Sequence, residues 1–566
     1  MRRFALMLAV ALPGALALGA IPRAVAQIVL PESADPLRML QQVRPQPRVT
    51  PSGPVMRLEE PEQAPPPPES ESIRFTLATV AVDDATVYSQ ADLEPLWHDL
   101  IGHEISLGQL YGVAAAITRK YRNDGYVLSR AIVPQQRVQN GAVRLEVIEG
   151  YVGRVTIQGE VSRESLLRGY ADKITAMRPL QVHDLERYLV LMDDLAGTTV
   201  SSVLTPLAGE PGASELTINF SQKEVDFFGT ADNRGTRYLG PYQGSAGARL
   251  NSVLGFYELT QLRLIGTPLD IGQLRAYDLS EAVPIDTEGT MLTVEIDQAW
   301  AHPGFTLTPE QVTSAATVTS AMLSHPLIRL RAETLSVQTT FTATDLHTNL
   351  FNDTATLLSD RIRSLQWGAV YELADRYSGI DLLDLLLSQG LDVLGARTPG
   401  SPNLSRADGR SDFTKLIADA QRVQSLGGHW SLLGALTGQY GFCSLLASEQ
   451  FGLGGVNYVR AYDPAELTGD SGIAGKLELQ YGEKPTGFGL ASYQLYTYYD
   501  AGRVWNHQAL PGEFGAASAT AAGAGVRVVV NDQIAGSLEI AKPLTRDVMT
   551  EGNKDPRFFF SLVARF

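Results

Sequence analysis

One cysteine, Cys443, stands in 566 residues, so the chain has no internal disulfide framework and no thiolate metal site. Its eight histidines are scattered. None sits in an HExxH pattern or an equivalent, so no metal centre, cofactor or catalytic residue is expected. Long hydrophobic runs are lacking too. Apolar residues make up 44% of the chain, yet charges and glycines split them. Beyond the first 26 residues no apolar run reaches the roughly 18 residues that a membrane-spanning helix requires, which excludes a helical membrane protein. Basic charge is also short, with 46 Lys and Arg against 62 Asp and Glu. That acidity argues against nucleic acid as a partner and suits a chain that has to stay soluble in transit.

The single hydrophobic stretch, residues 4–21, follows Arg2 and Arg3, contains Pro13 and leads into Ala24-Val25-Ala26. A basic start, a short apolar middle and a small-x-small end predict a secretory signal peptide over residues 1–26. The stretch is too short and too broken by proline for a membrane anchor. Cleavage after Ala26 removes three arginines and no acid, taking the net charge from −16 to −19. The remaining length leaves room for two or three domains. Residues 27–72 are Pro-rich, with Pro65 to Pro68 consecutive, and read as an extended linker. Within it, Asp35 to Val43 can form one or two helical turns, with Leu37, Leu40 and Val43 at three-residue spacing.

Residues 73–150 change character. A strand-like stretch from Ile73 to Val82 precedes Ser89, which can cap a helix with Asp92 as its capping-box partner. Leu93, Leu96, Trp97 and Leu100 would share one helical face. Ser106 and Gln109 form a second capping box before Leu110, Val113, Ala114 and Ile117, and Gly125 stands where the chain has to turn out of that helix. Strands from Val127 to Pro134 and Val143 to Ile148 follow, with Asn140-Gly141 as their turn. Residues 151–225 repeat the order: a strand over Val152 to Gln158, a short helix after Ser162 with Leu166, Leu167 and Tyr170, and a second helix carrying Leu185, Tyr188, Leu189, Met192 and Leu195. Strands over Val200 to Leu207 and Glu215 to Phe220 close it. Two tandem β-α-α-β-β units are predicted.

From residue 226 to 566 the helical period disappears. Leu292, Val294 and Ile296 alternate with Thr293, Glu295 and Asp297; Leu477, Leu479 and Tyr481 alternate with Lys476, Glu478 and Gln480. Phe558, Phe560, Leu562, Ala564 and Phe566 share one face, and the chain stops on phenylalanine in mid-strand. A soluble sandwich also alternates, with its apolar face packed on a second sheet, but long segments of about ten residues with frequent tyrosines favour a transmembrane antiparallel β-barrel. Candidate strands number about sixteen, one of them (near residues 310–323) very weak, and such a barrel encloses an aqueous lumen.

Several stretches resemble the transporters of two-partner secretion, the haemolysin-secretion and adhesin-export kind, whose soluble repeats are called POTRA domains. In the first repeat these are Tyr121-Arg-Asn-Asp-Gly125-Tyr126, Ala131-Ile-Val-Pro134-Gln135-Gln136 and Gly141 through Val147-Ile-Glu149-Gly150. The second has Leu191-Met-Asp-Asp-Leu195-Ala-Gly197, with Ala196 where the family usually has proline, then Leu204-Thr-Pro206, Gly212 and Ser214. The barrel opens on Phe228-Gly229-Thr-Ala-Asp232-Asn233-Arg-Gly235. Phe451-Gly-Leu-Gly-Gly-Val-Asn-Tyr-Val459-Arg460-Ala461-Tyr462-Asp463 is similar to the signature of the family's long sixth extracellular loop, which folds back into the pore. The family commonly has glycine where this chain has Ala461; alanine keeps the loop only if its backbone there is not left-handed. Tyr498-Tyr499-Asp500-Ala-Gly502 is similar to a second signature on a following strand.

Face parity puts Asp500 with Ser492 and Gln494, opposite Tyr493, Leu495 and Tyr499. A carboxylate facing lipid is costly, so Asp500 faces the lumen. On these residues alone Arg460 and Asp500 could be ordinary lumen charges. The resemblance implies that they pair and latch the loop, with Val459, Tyr462, Gly454 and Gly455 shaping it. It further implies an outer-membrane transporter of a Gram-negative bacterium, its repeats in the periplasm, exporting an unfolded secreted exoprotein without ATP. The Pro-rich extension would plug the resting pore, the outer wall would meet outer-membrane lipid, and Phe566 would be the terminus read by the barrel-assembly machinery. Two rival activities are the insertion of outer-membrane proteins, on the same architecture, and passive diffusion of solutes through a porin.

Overall fold

The computed structural model describes residues 30–43, 55–58, 66–159, 164–485, 489–511 and 513–566. The signal peptide, most of the Pro-rich extension and the Ser162 cap lie outside them.

In the first repeat both capping boxes form. Ser89 and Asp92 open the helix Gln90–Leu93, and Ser106 and Gln109 open Leu107–Asn123. The expected single helix through Leu100 does not form. It stops at Leu93 and continues as two short 3-10 turns, Glu94–Leu96 and His98–Leu100, because Pro95 has no N–H for a helical bond. Leu93 and Trp97 still reach the core formed by Leu110, Ile117, Tyr121 and Leu145. The strand Ala142–Ile148 lies between Thr79–Asp83 and Arg130–Ile132. Asn140 and Gly141 both take positive φ in the preceding turn, and a Cβ at Gly141 would lie 2.2 Å from the Thr76 carbonyl oxygen.

The second repeat packs helices Glu164–Ala176 and Val182–Asp193 on strands Tyr151–Gln158, Ala213–Gln222 and Thr198–Pro206. Its sheet has a fourth member that does not belong to the repeat. Val55–Leu58, from the Pro-rich extension, pairs in parallel with Ser201 to Leu204 along the outer edge of Thr198–Pro206.

Sixteen antiparallel strands, from Val225–Asp232 to Arg557–Arg565, close a barrel. The weak candidate is among its longer strands, Thr313–Arg329. Leu292, Val294, Ile296, Leu477, Phe558 and Leu562 point outward. First and last strands meet over the five pairs from Phe228↔Arg565 to Asp232↔Ser561. The main chains of Phe227 and Phe566 extend that seam by exchanging two hydrogen bonds of 3.0 and 2.8 Å.

The second repeat is fastened to the barrel's near end. Tyr257, from a barrel turn, is buried in the repeat's core beside Phe220. Lys173 pairs with Glu288 at 2.6 Å, Arg329 with Asp194 at 2.5 Å, and Arg187 donates to the carbonyls of Glu288 and Pro326. The helix Pro36–Val43 lies inside the barrel. Leu37 and Leu40 pack on Ile265, Ala276, Ala299, Ala316, Leu346 and Leu358, an apolar patch on the inner wall.

Candidate functional site

Strands Trp430–Gly441 and Ser471–Glu483 are neighbours in the barrel, yet the chain between them is long. It turns back into the lumen, where Phe451–Leu453 pairs with Leu467–Gly469 to form an inner hairpin. Glycines permit the turn at its end. Gly454 has φ +116°, and a Cβ there would lie 2.1 Å from the Asp463 carbonyl oxygen; Gly455 has φ +92°. Ala461 stays outside the left-handed region, so alanine is accommodated. The left-handed residues of the tip are Val459 and Ala465, and a β-branched residue with positive φ is held there only by surrounding contacts. Val459 is fully buried among Leu453, Tyr462, Tyr496 and Tyr498.

Those contacts bring Arg460 onto the wall. Its Nε and Nη2 donate to the two oxygens of Asp500 at 2.9 and 3.0 Å, and its backbone N–H reaches Asp500 Oδ2 at 3.1 Å. Nη1 donates to Glu478 Oε2 at 2.6 Å. The guanidinium lies over the Tyr498 ring, 3.4 Å from its centroid. Arg460 is 5% exposed and Asp500 0%. Burial alone would lower the Arg460 pKa, but the hydrogen bond and charge of Asp500, joined by Glu478, outweigh it and raise the pKa above its ordinary value. The arginine stays charged at every physiological pH. The geometry is a bidentate fork plus a third anchor, the arrangement in which arginine cannot be replaced by lysine.

The surroundings hold the tip from several directions. Arg527 donates to the other oxygen of Glu478 at 2.6 Å. Arg234 donates to the Arg460 carbonyl at 3.0 Å and pairs with Glu539 at 2.8 Å; the hydroxyls of Tyr496 and Tyr498 donate to that same carboxylate. Arg557 donates to the Ala461 carbonyl at 3.0 Å and to Asp463 at 2.7 Å. The Tyr462 hydroxyl donates to the Arg546 carbonyl and accepts from its N–H.

The motif at the start of the barrel divides in two. Asp232 accepts from the Arg234 N–H at 2.9 Å, turning the chain so that Arg234 reaches the loop. A Cβ at Gly235 would come within 2.0 Å of the Gly240 carbonyl oxygen. Asn233 stitches the barrel seam, donating to the Phe558 carbonyl and accepting from the Phe560 N–H. Phe228 instead lies under Arg249, and Gly229 pairs with Ala564 across the seam. Phe566 is 58% exposed at the rim. Sequence reasoning did not single out Glu478, Arg234, Arg527, Glu539 or Arg557. For Glu478 the signal was present, since its strand's alternation already turns it inward with Lys476 and Gln480.

A sequence model of the family described as haemolysin secretion/activation protein ShlB/FhaC/HecB matches residues 212–528. One for the ShlB-type POTRA domain matches residues 75–150. The heme/hemopexin transporter protein HuxB of Haemophilus influenzae (strain 86-028NP) is 23% identical over 560 residues, covering 95% of each chain. The outer membrane transporter CdiB of Dickeya dadantii (strain 3937) is 23% identical over 455 residues, covering 77% of each. The solved structure of CdiB from Escherichia coli superposes with a TM-score of 0.73 at 19% identity, covering 90% of this chain and 93% of that one.

Proposed function

The chain belongs to the haemolysin secretion/activation family, and we propose that it moves one large partner protein, unfolded and without ATP, from the periplasm to the cell surface. It is a two-partner secretion transporter of the outer membrane, with its repeats in the periplasm. One observation carries the mechanistic reading: two segments, the helix Pro36–Val43 and the sixth loop, occupy the lumen, and neither is a barrel strand. A gated polypeptide channel needs removable occupants with docking domains beneath them, whereas a passive porin needs no docking domains. Membership of this family, rather than the shared fold, favours export over the insertion of outer-membrane proteins. Outer-membrane lipid covers the outward leucines and phenylalanines, and Phe566 at the open rim suits recognition by the barrel-assembly machinery. The test is release of the partner by cells that carry or lack the chain; unchanged release without it would refute the reading.

Docking by strand addition has to contend with the chain itself. The outer edge of Thr198–Pro206 is already taken by Val55–Leu58. An exported segment adding there displaces that strand, which is tied through the preceding residues to the helix in the lumen. Replacing Met56 by proline removes a backbone donor and weakens the strand. The variant should bind an unfolded partner segment more tightly than the parent in a titration of the purified transporter. Equal affinity would place docking elsewhere.

The helix should block current. Deleting residues 27–50 removes the side chains that cover the apolar patch around Ala276, Ala299 and Leu346. Conductance in planar bilayers should rise severalfold; identical traces for both proteins would remove the plug from the account.

A further inference from the structure

The helix in the lumen and the sixth loop are joined through one buried side chain. Arg38, 5% exposed, donates from Nη1 to the Gln450 carbonyl at 2.9 Å and from Nη2 to the Ala447 carbonyl at 2.5 Å. Glu32 lies 3.5 Å from its Nε. Gln41 adds a longer bond to the Ser448 carbonyl at 3.5 Å, and the Gln42 side chain fills the space a Cβ at Gly455 would need. Arg38, Gln41 and Gln42 belong to the helix Pro36–Val43 itself, and Glu32 to the 3-10 turn before it.

The carbonyls belong to the root of the loop, which includes the short 3-10 turn Ala447–Glu449. Other residues grip the same root, Arg406 from the connection between strands Gly379–Gly390 and Thr414–Gly427, and Lys415 and Gln439 from the barrel wall. Arg406 donates to the Leu445 carbonyl at 2.7 Å and to Asp470 at 2.6 Å. Lys415 and Gln439 both reach the Glu449 carbonyl at 3.0 Å. The Gln450 carbonyl receives its donor from the helix, the Ala447 carbonyl shares Arg38 with the Gln450 N–H of its own turn at 3.2 Å, and both residues are buried. Departure of the helix takes the Arg38 donor from the buried Gln450 carbonyl and leaves the Ala447 carbonyl only the bond within its turn, which destabilises the root as folded. A planar guanidinium offers one nitrogen to each carbonyl in a fixed geometry; an ammonium has three donors but lacks that fork.

We propose that Arg38 is a positioning residue that couples the helix to the sixth loop, so that withdrawal of the helix loosens the loop's root and loosening of the root weakens the hold on the helix. The coupling is reciprocal because it is a free energy shared by two states. It rests on the reading that the helix plugs the lumen, and it gives the exported chain a single route to both occupants: drawing the helix out of the lumen also releases the loop.

The chain carries its own reporter. Cys443, its one thiol, is half-buried and packs on Leu445 and Leu446 of the same root. Its labelling by a membrane-impermeant maleimide on whole cells should be at least about fivefold faster in Arg38→Ala than in the parent, a modest value for such coupling. Arg38→Lys should fall between them, and deletion of residues 27–50 should match Arg38→Ala. Heat-modifiability on gels checks that each barrel is assembled, and the deletion supplies the comparison should Arg38→Ala fail to assemble. Conductance is recorded on the same variants. Faster labelling with higher conductance supports both readings. Faster labelling without a change in conductance keeps the coupling and removes the plug. Higher conductance with unchanged labelling overturns the coupling and leaves the plug standing. No change in either overturns both.

Discussion

Cells producing Arg460→Ala should release at least about tenfold less partner protein while their outer membrane holds normal amounts of the barrel. The substitution removes the fork on Asp500, the bond to Glu478 and the stack on Tyr498 together, and leaves two buried carboxylates without their shared cation. Stripping one partner from a buried ion pair costs about 3–5 kcal/mol, and each 1.4 kcal/mol is roughly a factor of ten in an equilibrium constant, so the latched loop ceases to be the dominant state. The barrel's own hydrogen-bonded wall does not depend on the loop and should assemble. Asp500→Ala should be milder, because Glu478 retains the guanidinium, and the double variant should resemble Arg460→Ala alone. Exchanging the two charges should not rescue secretion, since the relocated carboxylate would face Glu478 and the bond from the Arg460 N–H would be lost. The readout is partner protein in the medium at matched transporter levels. Losses that add on a logarithmic scale would mean that the two residues act independently.

Much of this architecture is legible in the residues, and the exceptions have physical causes. Strands such as Met291–Ala301 announce themselves because large apolar side chains meet lipid on one face and polar ones meet water on the other. Thr313–Arg329 hides because both faces carry Ala, Ser and Thr, so the alternation has little contrast. The break at Pro95 was overridden by an apolar spacing that suits a helix and is satisfied by two tight turns instead. Val55–Leu58 is four residues in a proline-rich stretch; it is a strand only because Thr198–Pro206 offers an edge, a property of the fold rather than of the segment. In the site, the parity of Ser492–Trp505 turns Asp500 inward, and the parity of Ser471–Glu483 does the same for Glu478. Arg234 and Arg557 could not be assigned that way. They meet the loop tip from sequence positions far from it, on opposite sides of the barrel seam.

Removing residues 73–150 should stop export and leave the barrel assembled. The first repeat closes its own core around Leu77, Leu110, Ile117, Tyr121 and Leu145 and has capped helices of its own; it lends Leu128 and Val127 to the second repeat's core, and the closed barrel pairs none of its strands with it. The second repeat keeps its attachments through Tyr257, Lys173–Glu288 and Asp194–Arg329. The deletion therefore takes away a docking domain without moving the pore. Partner protein should fall below detection outside the cell and accumulate, or be degraded, in the periplasm, while heat-modifiability of the barrel remains as in the parent. Export at the parent level would mean that the second repeat alone suffices.

Export itself can be measured with purified components. The partner is identified as the secreted protein that disappears from the medium when this chain is deleted. It is added unfolded, without nucleotide, to liposomes carrying the transporter with its repeats outward. Protease-protected partner is expected inside liposomes that hold the parent protein, and almost none in those that hold Arg460→Ala. Partner that stays fully accessible to protease with the parent protein, or that is protected equally in both, would contradict that expectation.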